Sequence, residues 1–194
     1  MLSVADKCKA YTPYSVQSVG TPEQFYEICS KDNIKKIILS AVEAESPVSR
    51  KRVLKYVLNS YGITRSGNRV EVIFDEAVKD SGITITQSNG TTFYWHGKQN
   101  PSDYKECRLS GENVEKRTLD DICSEEICNG ILLILDEQIS MQKSDVIWEI
   151  GKLFGYSRLG GIIESSVLNG LEYALSSGRV VCENERILLT KIAE

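Results

Sequence analysis

Positive charge is concentrated between Ser46 and Val70, and phosphate binding is the chemistry that such a concentration could perform. The stretch contains no acidic residue, although the whole chain has 27 of them and a net charge of -4. Its basic residues are Arg50, Lys51, Arg52, Lys55, Arg65 and Arg69. Lysine and arginine side chains neutralise phosphates, so a local cluster can bind nucleic acid even in an acidic protein. We therefore predict a contact with DNA or RNA in this stretch.

The predicted contact set extends to polar neighbours and to a second copy of the same pattern. The last part of the basic stretch, from about Arg65, is the predicted start of a helix. Backbone N–H groups at a helix start also favour phosphate. The further members of the set are Ser66, Asn68, Lys143 and Arg158.

The elements that must position these residues occur twice. Tyr61–Gly67 (YGITRSG) recurs 93 residues later as Phe154–Gly160 (FGYSRLG), within an ungapped frame of apolar positions. Such self-similarity indicates a duplicated structural element. Arg65 and Arg158 occupy the same place in the two copies. Their shared role is either a phosphate contact or a structural one, such as an ion pair with an acidic residue of the following helix.

Periodicity predicts three helices and a hairpin in the first copy. Apolar residues recur at helical spacing from Ile34 to Val42, from Val53 to Tyr61 and from Val70 to Val78. Two β-prone segments then flank Asn89-Gly90, which is a strong hairpin signal. A Gly-containing turn between the last two helices is typical of a helix-turn-helix.

These patterns predict an α+β, mainly α fold of two tandem winged-helix domains. We place a lead-in segment at residues 1–30, the first winged-helix domain at 31–97, a polar linker at 98–118 and the second domain at 119–194.

The composition excludes several classes of function. No apolar run approaches the roughly 20 residues of a membrane span, and the N-terminus lacks the pattern of a secretory signal. A cytoplasmic location is therefore expected. The single histidine and six scattered cysteines offer neither a catalytic triad nor a zinc motif. No phosphate-binding loop of the ATPase type is present. We expect no enzymatic activity, cofactor, metal or small-molecule substrate.

A family resemblance adds a biological context. The run Ala41–Val48 (AVEAESPV), followed by Tyr61–Gly67, resembles an uncharacterised domain at the C-terminus of large bacterial superfamily-one DNA/RNA helicase-like proteins. The resemblance continues through Phe93–Trp95, Ser124–Ile127 and Gly155–Arg158, and departs at Ser46, where glycine is expected. It implies an accessory region of a helicase-like polypeptide, whose remainder would be a partner.

Two functions follow from these observations. The first is a non-catalytic nucleic-acid-binding accessory module of a helicase-like protein. The alternative is a protein-protein or intramolecular interaction module built on winged helices. The alternative is favoured by the acidic total and by carboxylates on the third helix, which would repel phosphates deep in a groove. These are Glu71, Asp75, Glu76 and Asp80.

Overall fold

A computed structural model describes residues 3–190, and over this range the chain is an α+β protein, mainly helical, as predicted. The α-helices are α1 (Val4–Lys7), α2 (Ser30–Glu45), α3 (Arg50–Ser60), α4 (Asn68–Lys79), α5 (Ser124–Gln138), α6 (Lys143–Leu153) and α7 (Gly161–Ser176). The strands are β1 (Lys9–Tyr11), β2 (Val48–Ser49), β3 (Thr84–Ser88), β4 (Thr91–Trp95), β5 (Arg108–Ser110), β6 (Ser140–Gln142), β7 (Val180–Glu183) and β8 (Arg186–Leu189). Residues 1–2 and 191–194, at the outer ends of the predicted lead-in and second domain, lie outside the described residues.

Residues 12–87 and 91–100 form one compact unit, called the N-terminal unit below. Helices α2, α3 and α4 pack around a common core beside a sheet of order β2-β4-β3, in which β2 is antiparallel to β4. The apolar stripes predicted by helical spacing supply this core. Members with no exposed surface are Ile34, Ile38, Ala41, Val53, Val57 and Phe74.

Residues 3–11, 88–90 and 101–190 form the second compact unit, called the C-terminal unit below. Helices α5, α6 and α7 surround its core, and its antiparallel sheet has the order β6-β8-β7. Fully buried members of this core are Cys128, Ile131, Ile150, Val167 and Ala174.

The two units repeat the same order of elements. Helices α3 and α6 are both 11 residues long and begin 93 residues apart, and the same offset separates the starts of α4 and α7. In each sheet the strand that precedes the second helix pairs with the last strand of the hairpin. The hairpin turns, Asn89-Gly90 and Asn184-Glu185, both have positive φ angles, as a tight two-residue turn requires.

The repeated glycines Gly62 and Gly155 end α3 and α6 in the left-handed conformation, with φ angles of 67° and 78°. After each glycine the chain bonds back to the helix: the N–H of Ile63 donates to Leu58 O at 2.9 Å, and the N–H of Tyr156 donates to Gly151 O at 2.8 Å. Glycine adopts this geometry without steric cost. These glycines therefore set the direction in which the chain leaves the helix.

The predicted lead-in and linker both need correction. Residues 9–11 and 108–110 pair as parallel strands, with Lys9 opposite Arg108, so both segments belong to the C-terminal unit. Residues 12–30 belong instead to the N-terminal unit, where Phe25 is fully buried. The unit boundaries therefore lie at residues 12 and 101, and not at 31 and 119. Burial of apolar surface from the flanking segments accounts for the difference.

Candidate nucleic-acid interface

The basic stretch begins on α3, whose start is fixed by a side-chain cap. Ser49 Oγ accepts a hydrogen bond from the N–H of Arg52 at 3.2 Å. Apolar residues of α3 face the core, and Lys51 and Lys55, one helical turn apart, are exposed. The helix thus keeps two of its four basic residues on its outer side.

Arg52 does not belong to a nucleic-acid contact, contrary to the prediction. The residue is 6% exposed, its Nη2 donates to Tyr56 Oη at 2.9 Å, and its Nε lies 3.5 Å from Oε2 of the buried Glu45. Burial, followed by the hydrogen bond to Glu45, raises the pKa of Tyr56 to about 12. The three side chains form an internal polar cluster, so Arg52 supports the fold and is withdrawn from solvent.

Arg50 is directed toward α4. Its Nε donates to Asp75 Oδ1 at 3.0 Å, its Nη2 binds both Asp75 and Glu71, and its guanidinium lies 5.1 Å from the centre of the Phe74 ring. The hydrogen bond from Arg50 lowers the pKa of Glu71 and holds it as a carboxylate. Arg50 therefore neutralises two of the α4 carboxylates that would otherwise repel a phosphate.

The first turn of α4 is the second part of the site. Gly67 occupies the N-cap position, and no side chain there accepts a hydrogen bond from the helix N–H groups. Four residues of the predicted contact set lie around this end of the helix, and all four are exposed, namely Arg65, Ser66, Asn68 and Arg69. The guanidinium of Arg69 lies over the Tyr26 ring, 4.5 Å from its centre. The Tyr26 ring therefore packs against the Arg69 side chain at the start of α4.

The outer face of α4 beyond its first turn is unsuited to reading bases. Val72 is 57% exposed, Glu76 is exposed and lies 3.2 Å from the ammonium of Lys31, and Asp80 is exposed at the C-cap. Apolar and acidic side chains there offer few hydrogen-bond donors to base edges. On α4, the exposed residues of the predicted contact set are therefore confined to the first turn and the segment before it.

The remaining predicted residues, Lys143 and Arg158, belong to the C-terminal unit. Lys143 opens α6 and Arg158 lies in the turn before α7, and both are exposed. Gly160, the N-cap of α7, likewise provides no side-chain cap. The first turn of α7 differs from that of α4, since it carries Ile162, which is 67% exposed.

Arg65, the first of the two repeated arginines, was considered for an ion pair with an acidic residue of the following helix, and the structure gives that residue other partners. Glu71, which the sequence offered to Arg65, accepts hydrogen bonds from Arg50. Ser66 also bonds to this carboxylate. Arg65 itself is exposed at the turn.

The aromatic run on the hairpin is internal. Tyr94 is 1% exposed and Trp95 is fully buried, with its indole N–H donating to Thr86 Oγ1 at 2.8 Å. These rings are buried in the unit and are not available to stack on bases.

Sequence reasoning missed a cluster of buried charges in the C-terminal unit. Glu126, at the start of α5, has no exposed surface and binds the guanidinium groups of Arg108 and Arg117. A carboxylate in the first turn of a helix is ordinarily accounted for by the helix dipole alone, without a buried partner. Both arginines lie in the segment assigned to a linker, and no local pattern relates them to Glu126.

Two further features are absent from residues 3–190. No group of three or more His, Cys, Asp or Glu side chains is arranged to hold a metal ion. Within the same range, no helix has the length and apolar character needed to cross a bilayer.

Comparison of the chain with protein-family models finds no match, and comparisons with curated proteins and with solved structures find none either.

Proposed function

We propose that the chain is a non-catalytic accessory module of two winged-helix domains, and that the first of them binds the phosphate backbone of DNA or RNA. The order helix, strand, two helices and hairpin in each unit supports the winged-helix assignment. The resemblance to the C-terminal domain of helicase-like proteins supplies the context, in which the module helps a motor to hold its nucleic acid.

The observation that carries the proposal is the uncapped start of α4 between Arg65 and Arg69. The N–H groups of a first helical turn point along the axis and carry partial positive charge. At α4 no N-cap side chain satisfies them, and the exposed residues Arg65 and Arg69 lie just before and within this first turn. A phosphate at this position receives backbone and side-chain hydrogen bonds together, which is a common arrangement at anion sites.

The surrounding charges favour such a phosphate. Glu71 and Asp75 are bound by Arg50, and Glu76 is bound by Lys31, so each of these carboxylates has a cationic partner within the unit. Lys51 and Lys55, on the neighbouring helix α3, are exposed residues as well. Binding would be independent of base sequence, because the outer face of α4 has few hydrogen-bond donors that could contact base edges.

The first prediction concerns Arg65→Glu/Arg69→Glu. We expect this double variant to lower affinity for labelled duplex by about tenfold or more at low salt, and to reduce the slope of log K against log salt by about 2. The measurement is fluorescence anisotropy with duplex, forked and single-stranded probes over a range of salt concentrations.

Lys36→Glu/Lys79→Glu is the matched control, since both lysines are exposed residues of the same unit and lie away from the start of α4. This variant changes the net charge equally and should retain most of the affinity. Absence of salt-dependent binding by the wild type, or equal losses in the two variants, would contradict the proposal.

The second candidate, protein interaction, is favoured by one feature of the C-terminal unit. The start of α7 exposes Ile162 beside an open cavity of about 350 Å³, whose wall is mainly apolar and includes Leu119, Tyr156 and Ile163. An exposed apolar surface of this kind is typical of a protein contact.

Ile162→Glu tests this candidate. If the surface docks on the motor portion of the helicase-like polypeptide, the variant should lose co-purification with that portion and keep its affinity for nucleic acid. Leu175→Glu, at the other end of α7, should retain both properties. Unchanged co-purification of the Ile162 variant would remove this candidate.

A further inference from the structure

A buried charge cluster lies on one wall of a cavity in the C-terminal unit. Glu126 Oε2 accepts hydrogen bonds from Arg108 Nη2 at 2.6 Å and from Arg117 Nη1 at 2.9 Å, and Glu126 Oε1 accepts one from Arg117 Nη2 at 2.7 Å. Arg108 is 7% exposed and Arg117 is 4% exposed. Two guanidinium groups thus share one carboxylate in the interior.

The state of Glu126 fixes the charge of this cluster. Burial alone raises the pKa of the carboxyl group, but attraction and hydrogen bonds from Arg117 and Arg108 outweigh it and lower the pKa to about 2. The group is therefore ionised at neutral pH and pairs with both arginines.

Arg117 has an unused donor. Its Nη1 and Nη2 bind Glu126, Nη2 also binds Arg108 O, and the guanidinium lies 4.2 Å from the centre of the Tyr11 ring. The buried Nε, by contrast, has no hydrogen-bond partner. Buried polar groups are nearly always satisfied, so an orphaned N–H of a charged group calls for an explanation.

The cavity beside the cluster has a volume of about 360 Å³. One part of its wall is cationic or polar, with Arg108, Arg117, Lys116 and Ser110. The other part is apolar, with Ile122, Leu153 and Phe154. Lys116 reaches across to Gly155, where its Nζ donates to the carbonyl oxygen at 2.5 Å. The single acidic side chain on the wall is that of Glu112, which is exposed.

We propose that this cavity is a binding site for a small organic oxyanion, whose phosphate or carboxylate group meets Arg117 and Lys116 and whose apolar body contacts Ile122, Leu153 and Phe154. Charge-assisted hydrogen bonds to the anion and an apolar wall are the two components of a small-ligand site. The inference concerns a different unit from the proposed nucleic-acid contact and does not depend on it.

The test is an NMR titration of the ¹⁵N-labelled full chain at constant ionic strength, with phenyl phosphate, benzoate and neutral benzyl alcohol as separate probes. We expect saturable shifts of the Gly111 and Lys116 amides with at least one anion. The anion with the greater affinity identifies the preferred head group. Equal binding of benzyl alcohol, or no saturable shift with either anion, would overturn the proposal.

Lys116→Ala and Lys105→Ala form the matched pair for this site. Both lysines are exposed residues of the C-terminal unit, but Lys105 is not on the cavity wall. Loss of one charge-assisted hydrogen bond should weaken anion binding about tenfold in the Lys116 variant. The Lys105 variant should stay within about twofold of the wild type, since it changes only the overall charge. Equal weakening in both would show nonspecific attraction and would also overturn the proposal.

Discussion

Glu126→Gln is expected to lower the free energy of unfolding of the C-terminal unit by about 3–5 kcal/mol, because the variant removes the buried negative charge that Arg108 and Arg117 share. The wild-type carboxylate has no exposed surface and binds both Arg108 and Arg117. Glutamine has nearly the same shape, so packing changes little and the loss is electrostatic. Hydrogen exchange of amides in α5 and α7 measures the effect within this unit.

Glu172→Gln is the control for this prediction, since it removes an exposed carboxylate from α7. Its effect should stay within about 0.5 kcal/mol. A triple variant, Glu126→Leu with Arg108→Met and Arg117→Met, should recover much of the stability by removing the charges together. If Glu126→Gln matched the control, the carboxylate would not be needed to balance the arginines.

The same carboxylate gives stability a pH dependence. The folded-state pKa of Glu126, about 2, lies below the ordinary value of 4.5. Its contribution is therefore complete above about pH 4.5 and is lost as the pH falls toward 2, since the unfolded chain binds the proton first. Glu126→Gln should be less sensitive to acid over this window. The comparison requires hydrogen exchange, or unfolding curves, at a series of pH values.

Gly170→Ala is the second substitution with a large expected effect. A Cβ at this position of α7 would lie 2.3 Å from Ile127 Cγ2 and 2.7 Å from Ile127 Cβ. Ile127 is 1% exposed, and the contact involves the branch point of its side chain, which cannot rotate away. The two helices would have to separate, which should cost about 1–3 kcal/mol.

Gly161→Ala provides the comparison within the same helix. A Cβ at Gly161 meets no atom within 4 Å, so the change should be neutral or stabilising by up to about 1 kcal/mol. Denaturant unfolding of the two variants measures the difference. Equal midpoints would show that α5 and α7 are not held in close contact at Gly170.

Regular spacing made the main elements predictable. The apolar stripe from Ile34 to Val42 lies on α2, and the Asn89-Gly90 signal lies at the turn between β3 and β4, with positive φ at both residues. Each is a local pattern, because side-chain spacing and turn geometry depend on residues close in sequence.

Pairings between distant segments were not predictable. The parallel strands β1 and β5 are about 100 residues apart, and neither has a signal that specifies its partner. The interior position of Arg52 depends on Glu45, which lies on a different helix. Charge type alone therefore placed Arg52 with the solvent-facing lysines of α3. The spacing of Arg52 and Tyr56, one turn apart, was the available sign of a shared inner side.

The pairing of β1 with β5 also has a consequence for how the chain folds during synthesis. Residues 9–11 leave the ribosome before residues 12–100, and their partner strand follows only after the whole of that segment. The N-terminal unit is thus the first that can complete its core, while β1 must wait for β5 to emerge. A polypeptide that starts at Pro101 would lack β1 and the Tyr11 ring that covers Arg117, and β5 would present an unpaired edge. No single cleavage point divides this chain into two intact halves.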